Sequence, residues 1–348
     1  VMAKIIELNS NIQDQIFDLQ KYGQPTGLKV GFPSLDNLFS IKEKRTTIIY
    51  GRPTDGKSQF LIQTLCALAC SHGKKSVIYT PETGDTFEVY ADIIHCLTGK
   101  SFLPSLNYRI NEIDLMNVIP FVKDYFKVVE LEEKEFTLDN WLEITEEAIR
   151  DYGIYASAAD NWNDLDHTSE AMISEYLKRN LVKWNRHAKK HSYHGFMVTH
   201  ARNPLILKGE EFPKAARVDE IDGGYAWYAK AMNMILVHRE YEEHAEGWRQ
   251  SNTAEIHIKK LKKKSEGQKG ICRLKFDVYR NAYFEDRGER FYLTTPFNGN
   301  AISQPDQPKP EPKTDFKLKK EFIQISAKLT DNSDLDPHKD EPFNPAPF

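Results

Sequence analysis

The stretch Gly51-Arg52-Pro53-Thr54-Asp55-Gly56-Lys57-Ser58 decides the fold class of this chain. It fits the pattern G-x-x-x-x-G-K-[ST] and lies between the apolar segment 47–50 and a helix-like segment at 57–71. Glycines let such a loop curl so that its backbone N–H groups face phosphate oxygens, and the helix N-terminus adds partial positive charge. Lys57 can reach the β- and γ-phosphates, and the Ser58 hydroxyl can bind Mg²⁺. The stretch therefore predicts a P-loop NTPase whose ligands are ATP and Mg²⁺.

Strand-like and helix-like segments alternate on both sides of this loop, from about residue 45 to residue 286. The apolar patterns predict strands at 47–50, 76–79, 127–129, 154–159, 196–199, 234–238, 255–260 and 271–277. They predict helices at 4–20, 57–71, 84–97, 137–151 and 168–190. Because strands that alternate with helices pair in parallel, we expect an α/β fold with a mostly parallel sheet flanked by helices. The strand-rich last third predicts antiparallel edge strands.

Three regions of different composition predict the domain organisation. We expect residues 1–26 to form a helix and a linker broken by Gly23 and Pro25, and residues 27–298 to form the P-loop ATPase domain. Residues 299–348 are rich in proline and charge, since eight of the 17 prolines lie in the last 48 residues. Such a composition cannot bury enough apolar surface to fold alone. We expect this tail to be disordered, with room for one short helix at 316–329.

Overall charge and cysteine content narrow the functional classes. The formal net charge of -4 gives no sign of nucleic-acid binding, so any such contact has to come from local basic loops. No run of about 18 apolar residues occurs, which argues against a membrane-spanning helix. Cysteines occur only at Cys66, Cys70, Cys96 and Cys272, which fits a reducing cytosol. A metal site at Cys66, Cys70 and His72 is conceivable, but small residues filling a helix face is the favoured interpretation.

Three polar residues follow predicted strands at the end where the phosphate loop lies. Asp160 closes the segment 154–159 and is the candidate for a second Mg²⁺ ligand, although this Ser/Ala-rich segment is weakly apolar for a buried strand. Glu82 follows the second strand and is the candidate that activates water, and His200 ends the strand 196–199. Because the carboxyl ends of parallel strands meet at one edge, all three can face a γ-phosphate. The alternatives are a surface or N-cap aspartate, a solvated glutamate and a structural histidine.

The order of these segments resembles the hexameric replicative helicases of the DnaB and Twinkle type, especially the helicase half of phage primase-helicases. The resemblance covers about residues 24–290. Its motifs lie, in order, at 27–36, 51–58, 81–82, 160–167, 200–204, 221–224, 230–231 and 260–262. Only the phosphate loop is specific by itself, and the ordered set carries the resemblance.

The resemblance implies a RecA-like core, a homo-hexameric ring, ATP hydrolysis between subunits and 5′-to-3′ movement on single-stranded DNA. It implies that Lys57 and Ser58 bind phosphate and Mg²⁺, that Asp160 holds the metal and that Glu82 is the catalytic base. His200 takes the sensor position. The competing hypothesis is an ATP-switched recombinase or scaffold of the RecA type that binds single-stranded DNA without unwinding it.

Lys260 and Lys262 fall where this family places a basic pair that reaches the neighbouring subunit's γ-phosphate. The family usually has Arg at the position of Lys262, and a lysine supplies a point charge instead of a planar fork. Lys260, Lys263 or Lys264 could therefore serve instead, or turnover could be slow. The alternative is a solvated basic turn.

Several partners follow from the same resemblance. The candidate DNA loop is 202–224, with Lys208, Lys214 and Arg217, although a plain surface excursion is the alternative. Because the sequence begins with Val1, a preceding primase domain or a separate primase protein is an expectation. The tail ending at Phe348 resembles the tips by which single-strand-binding proteins recruit partners, against a plain disordered tail. We expect the cytoplasm of a bacterial or phage-infected cell.

Overall fold

The computed structural model describes residues 5–81, 84–103, 109–130, 137–164, 173–202, 211–245 and 247–297. Its helices are α1 (Ser10–Tyr22), α2 (Pro33–Asp36), α3 (Lys57–His72), α4 (Thr86–Thr98), α5 (Glu112–Tyr125), α6 (Leu138–Tyr152), α7 (Ile173–His191) and α8 (Tyr225–Lys230). Its strands are β1 (Arg45–Gly51), β2 (Ser76–Tyr79), β3 (Phe126–Val128), β4 (Ala156–Ala159), β5 (His194–His200), β6 (Asn233–His244), β7 (Gly247–Lys260), β8 (Gly270–Asp277), β9 (Ala282–Asp286) and β10 (Arg290–Tyr292). The predicted tail, 299–348, lies outside the described residues.

One sheet contains all ten of these strands, in the order β10-β9-β8-β7-β6-β1-β5-β4-β2-β3. The strands from β6 through β3 in this order pair in parallel, and β6 through β10 pair with antiparallel neighbours. The predicted α/β class, the mostly parallel sheet and the antiparallel edge are thus confirmed. β5 lies between β1 and β4, so the strand that carries the phosphate loop does not touch the strand before Asp160.

The two faces of the sheet bury separate apolar layers. On β1, Ile49 packs into the layer that contains α3, α4 and α5. Ile48 and Tyr50 pack into the layer with α6, α7 and α8 on the opposite face. All three side chains are fully buried. The continuous apolar run of β1 is what a parallel strand covered on both faces requires.

Local capping fixes where the helices begin. Thr137 accepts a hydrogen bond from the Asn140 amide at 3.3 Å, as the predicted N-cap of α6 requires. The prediction that the first helix starts at residue 4 was wrong for 5–9, because Asn9 caps α1 by accepting from the Ile12 amide at 3.1 Å.

Within the described part of the chain, no helix combines the length and apolar character that a bilayer crossing needs.

The four cysteines are free thiols and lie mostly in the core. Cys66, Cys96 and Cys272 are buried, and Cys70 is half-buried. Burial raises the pKa of the Cys70 thiol to about 12, which disfavours the thiolate that a metal would need. Among the described residues, no group of three metal-ligating side chains includes Cys66, Cys70 or His72. The packing role preferred from the sequence agrees with this.

Candidate nucleotide site

The phosphate loop begins where the central strand β1 ends and closes where α3 begins at Lys57. Gly56, which precedes α3, has φ of 86°, in the left-handed region. A Cβ at Gly56 would lie 2.2 Å from the Tyr283 hydroxyl oxygen, and that hydroxyl donates to the Gly56 carbonyl oxygen at 3.0 Å. The loop therefore needs glycine at this position both for its backbone conformation and for the close approach of β9.

Lys57 places its charge inside the curl of the loop. Its side chain is buried, and Nζ donates to the Arg52 carbonyl oxygen at 2.8 Å. Ser58, the second residue of α3, is half-buried beside it. An ammonium and a hydroxyl held next to a helix N-terminus are the groups that bind phosphate oxygens and a phosphate-bound cation.

The Asp55 carboxylate stabilises the phosphate loop by accepting three hydrogen bonds. Oδ2 accepts from the Arg52 amide at 2.9 Å, and Oδ1 accepts from Gln250 Nε2 at 3.2 Å and from the Arg239 amide at 3.3 Å. Burial raises the pKa of Asp55, and the hydrogen bonds from the Arg52 and Arg239 amides, together with the charges of His238 and Lys57, oppose that shift. Asp55 therefore connects the loop to β6 and β7 rather than offering its carboxylate to a ligand.

Arg52 connects the loop to the segment after β5. Its guanidinium donates to the carbonyl oxygens of Arg202, at 2.8 Å, and Lys214, at 3.0 Å. It also forms a 2.9 Å ion pair with Glu220, while its side chain is 7% exposed. Arg202 and Lys214 both lie in the predicted DNA loop, 202–224. Through Arg52, the phosphate loop is thus hydrogen-bonded to residues on both sides of 203–210.

Asp160 follows β4 directly and is buried, with 3% exposure. Its amide donates to the Tyr79 carbonyl oxygen at 2.8 Å, which fixes the end of β4 against β2. With only β5 between β4 and β1, two strand spacings of about 4.8 Å separate Asp160 laterally from the phosphate loop. The two predicted metal ligands, Ser58 and Asp160, thus follow strands at the same edge of the sheet.

His200 ends the intervening strand β5, opposite Gly51 of β1. Its Nε2 lies 3.0 Å from Asn161 Nδ2, so Nε2 accepts this hydrogen bond. Asn163 Oδ1 accepts from the His200 amide at 3.3 Å and from Thr199 Oγ1 at 3.2 Å. The two asparagines tie the end of β4 to the end of β5. Glu82, the predicted catalytic base, lies outside the described residues.

Lys260 and Lys262 lie at the opposite ends of the strands, where β1 and β6 begin. Lys260 is the last residue of β7 and pairs with Met234 at the start of β6. Its Nζ donates to the Tyr228 carbonyl oxygen and lies 5.0 Å from the centroid of that tyrosine ring. The Lys262 side chain is exposed, and the turn continues to Glu266, which forms an ion pair at 2.5 Å with Arg45. Since Arg45 begins β1 and the phosphate loop follows it, this turn cannot reach the chain's own loop.

In the described part of 202–224, which leaves out 203–210, two of the basic side chains are paired with carboxylates. Arg217 is paired with Asp219, and Arg202 forms a 3.2 Å ion pair with Asp222. Lys214 is exposed, whereas Lys208 lies outside the described residues. The described part of the predicted DNA loop thus carries charges of both signs.

The sequence interpretation missed the side chains that hold the loop in place. Tyr283 on β9 bonds to Gly56 at 3.0 Å, and its carbonyl oxygen accepts from Gln63 of α3 at 2.9 Å. Gln250 on β7 accepts from the Thr54 hydroxyl at 2.9 Å. Nothing in a motif could reveal these contacts, because they depend on the pairing of β6 to β9. For the asparagines at 161 and 163, the available signal was their place directly after Asp160 in the quoted motif.

Comparison with known proteins supports the fold described above. No protein-family model matches the chain. The chain is 27% identical over 279 residues to the Twinkle homolog protein, chloroplastic/mitochondrial, of Arabidopsis thaliana, a match that covers 78% of this chain and 38% of the relative. The fold is similar to a solved structure described as an ATPase domain, with a TM-score of 0.62, 13% identity and coverage of 79% of this chain and 98% of that one. The chain is therefore similar in sequence to a Twinkle homolog and shares the fold of that ATPase domain.

A second solved structure extends the comparison of the fold. It is described as "The Structure Of A DnaB-Like Replicative Helicase And Its Interactions With Primase". The TM-score is 0.63 at 12% identity, with 79% of this chain and 67% of that chain covered. The match spans 38% of the length of the Twinkle relative, so it does not carry that whole protein's activity or partners over to this chain.

Proposed function

We propose that this DnaB/Twinkle-like domain is the motor of an ATP-dependent replicative DNA helicase that moves 5′ to 3′ on single-stranded DNA as a homo-hexameric ring. The observation that carries the proposal is the strand order, which puts His200 between the phosphate loop and Asp160 at one edge of the sheet. The relative's printed name and the two similar folds support the same class of protein.

Residues of the loop fit a triphosphate with its cation. The loop amides and Lys57 would bind the β- and γ-phosphates, and the Ser58 hydroxyl and the Asp160 carboxylate would hold Mg²⁺. The ion, when bound, neutralises charge on the phosphates during transfer to water. Lys57 and Asp160 are both buried, and the opposite charges of a bound phosphate and cation would stabilise their ionised forms. Glu82 stays the predicted base.

His200 is proposed to report loss of the γ-phosphate. Its Nε2 is held by the Asn161 side-chain amide, and its backbone is held by Asn163. A shift of His200 would therefore move the end of β4 together with the end of β5. Through Arg52, a shift of the phosphate loop would also move Arg202 and Lys214 at the base of the proposed DNA loop.

The basic turn 260–264 is proposed to act on a neighbouring subunit. Over the seven residues of β1, Arg45 lies about 20 Å from Gly51, and the turn is on the Arg45 side. A turn at this edge could approach the phosphate loop of the next subunit in a head-to-tail ring. Lys262 is the better candidate for this contact, because Lys260 is bound to Tyr228.

The division into 1–26, 27–298 and 299–348 is part of the proposal. The Gly27 amide donates to Ser40 Oγ at 3.1 Å and Leu28 bridges to Ile41, which supports a core that starts at residue 27. No residue of α1 is buried, and Phe17 is 68% exposed. We propose that α1 packs on the next subunit, and that a primase and a partner of the tail complete the assembly. The bacterial or phage-infected cytoplasm stays a prediction.

Strand displacement tests the helicase function directly. We expect the full chain with ATP and Mg²⁺ to displace the strand of a fork that carries a 5′ tail, and not of one that carries only a 3′ tail. Lys57→Ala should abolish displacement, while the matched Lys123→Ala variant, at an exposed position on α5, should retain it. ATP-dependent DNA binding with no displacement by the wild-type chain would support the scaffold hypothesis instead.

A further inference from the structure

A cluster of metal-ligating side chains lies between α6 and α7, away from the nucleotide site. His187 and His191 are four residues apart on α7, so they share one face of that helix. Glu146 of α6 faces them, with Oε2 3.8 Å from His187 Nε2 and 3.4 Å from His191 Nε2. Among the described residues this is the one group of three such side chains whose ligand atoms all lie within 4.8 Å of one another.

The His187 ring is prepared to bind through Nε2. Its Nδ1 lies 3.0 Å from the hydroxyl of Tyr193, a fully buried residue that fixes the orientation of the ring. A hydrogen bond from Nδ1–H leaves the lone pair on Nε2, as metal-bound histidines require.

His191 has a ring nitrogen that the protein does not satisfy. Its Nε2 is buried and makes no hydrogen bond within the described part of the chain, although the Glu146 carboxylate is 3.4 Å away. Both histidine side chains are 14% exposed, whereas Glu146 is 50% exposed. Solvent can thus reach the cluster on the Glu146 side. A buried nitrogen with no partner is costly, and a ligand between the three groups would remove that cost.

The donor set selects a class of ion. Two imidazoles and one carboxylate suit Zn²⁺ and similar divalent transition metals, whereas Mg²⁺ and Ca²⁺ prefer oxygen ligands. Bond lengths of about 2.0–2.1 Å to tetrahedral Zn²⁺ put neighbouring ligand atoms about 3.4 Å apart. The distances of 3.4 and 3.8 Å from Glu146 Oε2 are already close to that value. We propose that Glu146, His187 and His191 bind one Zn²⁺ ion that links α6 to α7, with water as the fourth ligand.

The position of this site gives it a structural role. α6 ends four residues before β4 begins, and α7 ends three residues before β5 begins. The proposed ion therefore lies where β4 and β5 start, whereas His200 is the last residue of β5 and Asp160 directly follows β4. An ion at this position would fix the two helices that lead into both strands without touching the nucleotide.

Cobalt titration of the chelator-treated full chain, without nucleotide, tests the site. We expect one equivalent of Co²⁺ to bind with the absorption of a tetrahedral complex, and Zn²⁺ to displace it and raise the melting temperature. His187→Ala and His191→Ala should abolish this absorption. Tyr193→Phe should lower the affinity by about 10- to 100-fold while leaving the three ligands in place. His191→Cys should restore binding with an added sulfur-to-cobalt charge-transfer band, which a variant that merely misfolds could not show.

Two controls separate this site from other metal-binding groups. His244→Ala, in an exposed hairpin, and Asp160→Asn, at the nucleotide site, should bind Co²⁺ as the wild-type chain does. The proposal is overturned if the wild-type chain binds no Co²⁺, or if His187→Ala and His191→Ala bind it with wild-type affinity. Either result would leave the helicase proposal intact, because that proposal does not depend on an ion between α6 and α7.

Discussion

Gly56 shows at the scale of one residue how the loop motif and the rest of the chain depend on each other. The G-x-x-x-x-G-K-[ST] pattern explains this glycine by the curl of the loop. The structure adds a second reason, since the Tyr283 hydroxyl occupies the space where a Cβ would project. Tyr283 is buried and lies more than 200 positions along the chain, so the motif alone could not predict this contact.

Replacing Gly56 should separate the two reasons. Gly56→Ala should lower the free energy of unfolding by about 1–3 kcal/mol from the positive φ, with a further loss from the clash with Tyr283. Adding Tyr283→Phe removes the clashing oxygen and should recover part of that loss but not the backbone cost. Chemical denaturation of the four proteins measures this. Equal stability of Gly56→Ala and the double variant would show that Tyr283 plays no part.

Arg52 offers a second test at the residue scale, for communication between the phosphate loop and DNA. Arg52→Lys removes the planar fork that reaches Arg202 and Lys214 but keeps the charge. We expect nucleotide affinity to change little and stimulation of ATP hydrolysis by single-stranded DNA to fall several-fold. ATPase rates with and without DNA measure it, and the exposed Arg150→Lys on α6 is the control. Unchanged stimulation would contradict the proposed connection.

At the scale of elements, the sequence predicted the strands and helices around the loop because their apolar patterns are clear. It predicted β2 at 76–79 as found, and β4 at 154–159 against the observed Ala156–Ala159. The Ser/Ala content of β4 made that strand a weak prediction. Ser157 lies 2.9 Å from Thr145 of α6, hydroxyl to hydroxyl, so small side chains allow this helix to approach the sheet.

Helix α5 was missed for a physical reason. It has two buried residues, Val118 and Val122, and an internal Pro120, while Ile113 and Met116 are 70% and 64% exposed. Its apolar residues therefore do not form the single stripe that marks an amphipathic helix. The Asn111 side chain, which accepts from the Asp114 amide at 2.9 Å, was the available start signal.

His194 links β5 to β1 and gives an element-scale prediction. Its Nδ1–H donates to the Lys42 carbonyl oxygen at 2.6 Å, and its Nε2 accepts from Thr47 Oγ1 at 2.9 Å. Burial lowers the pKa of His194 to about 4, against an unfolded value near 6.5. The unfolded chain binds the extra proton between these values, so stability is fully present above about pH 6.5 and falls towards pH 4.

The expected loss from this histidine is about 3 kcal/mol across that pH window. His194→Gln should be less stable at neutral pH and should show a smaller fall in unfolding free energy on acidification. Urea unfolding at the two ends of the window measures the fall, with exposed His244→Gln as control. A fall in His194→Gln as large as in the wild-type chain would mean that His194 is not held neutral.

At the scale of the whole molecule, the proposed nucleotide groups lie where the parallel strands end, and the basic turn lies where these strands begin. The sequence could list these groups but could not place them, because the strand order β1-β5-β4-β2 comes from pairings between distant segments. The family resemblance supplied a RecA-like core as an expectation, but not this strand order. Because Lys57 and Lys262 lie at opposite ends of the strands, the proposed action of Lys262 on a γ-phosphate would require a neighbouring subunit.

Mixed assemblies test whether Lys262 acts on a neighbour. Lys57→Ala and Lys262→Ala should each reduce DNA-stimulated ATP hydrolysis by itself. Mixing the two variants should restore part of the rate, because a Lys57→Ala subunit can supply its lysine turn to the intact loop of a Lys262→Ala subunit. No recovery at any mixing ratio, in assemblies shown to contain both variants, would contradict action between subunits.

Magnesium-dependent nucleotide binding tests the central claim most directly. Calorimetric titration with a non-hydrolysable ATP analogue should give binding that weakens about 10- to 100-fold in Lys57→Ala. Asp160→Asn should remove most of the gain in affinity that Mg²⁺ produces, while Asp151→Asn, at an exposed carboxylate on α6, should bind as the wild-type chain does. Wild-type protein with no affinity for the analogue, or equal affinity and equal Mg²⁺ dependence in all four proteins, would contradict the account.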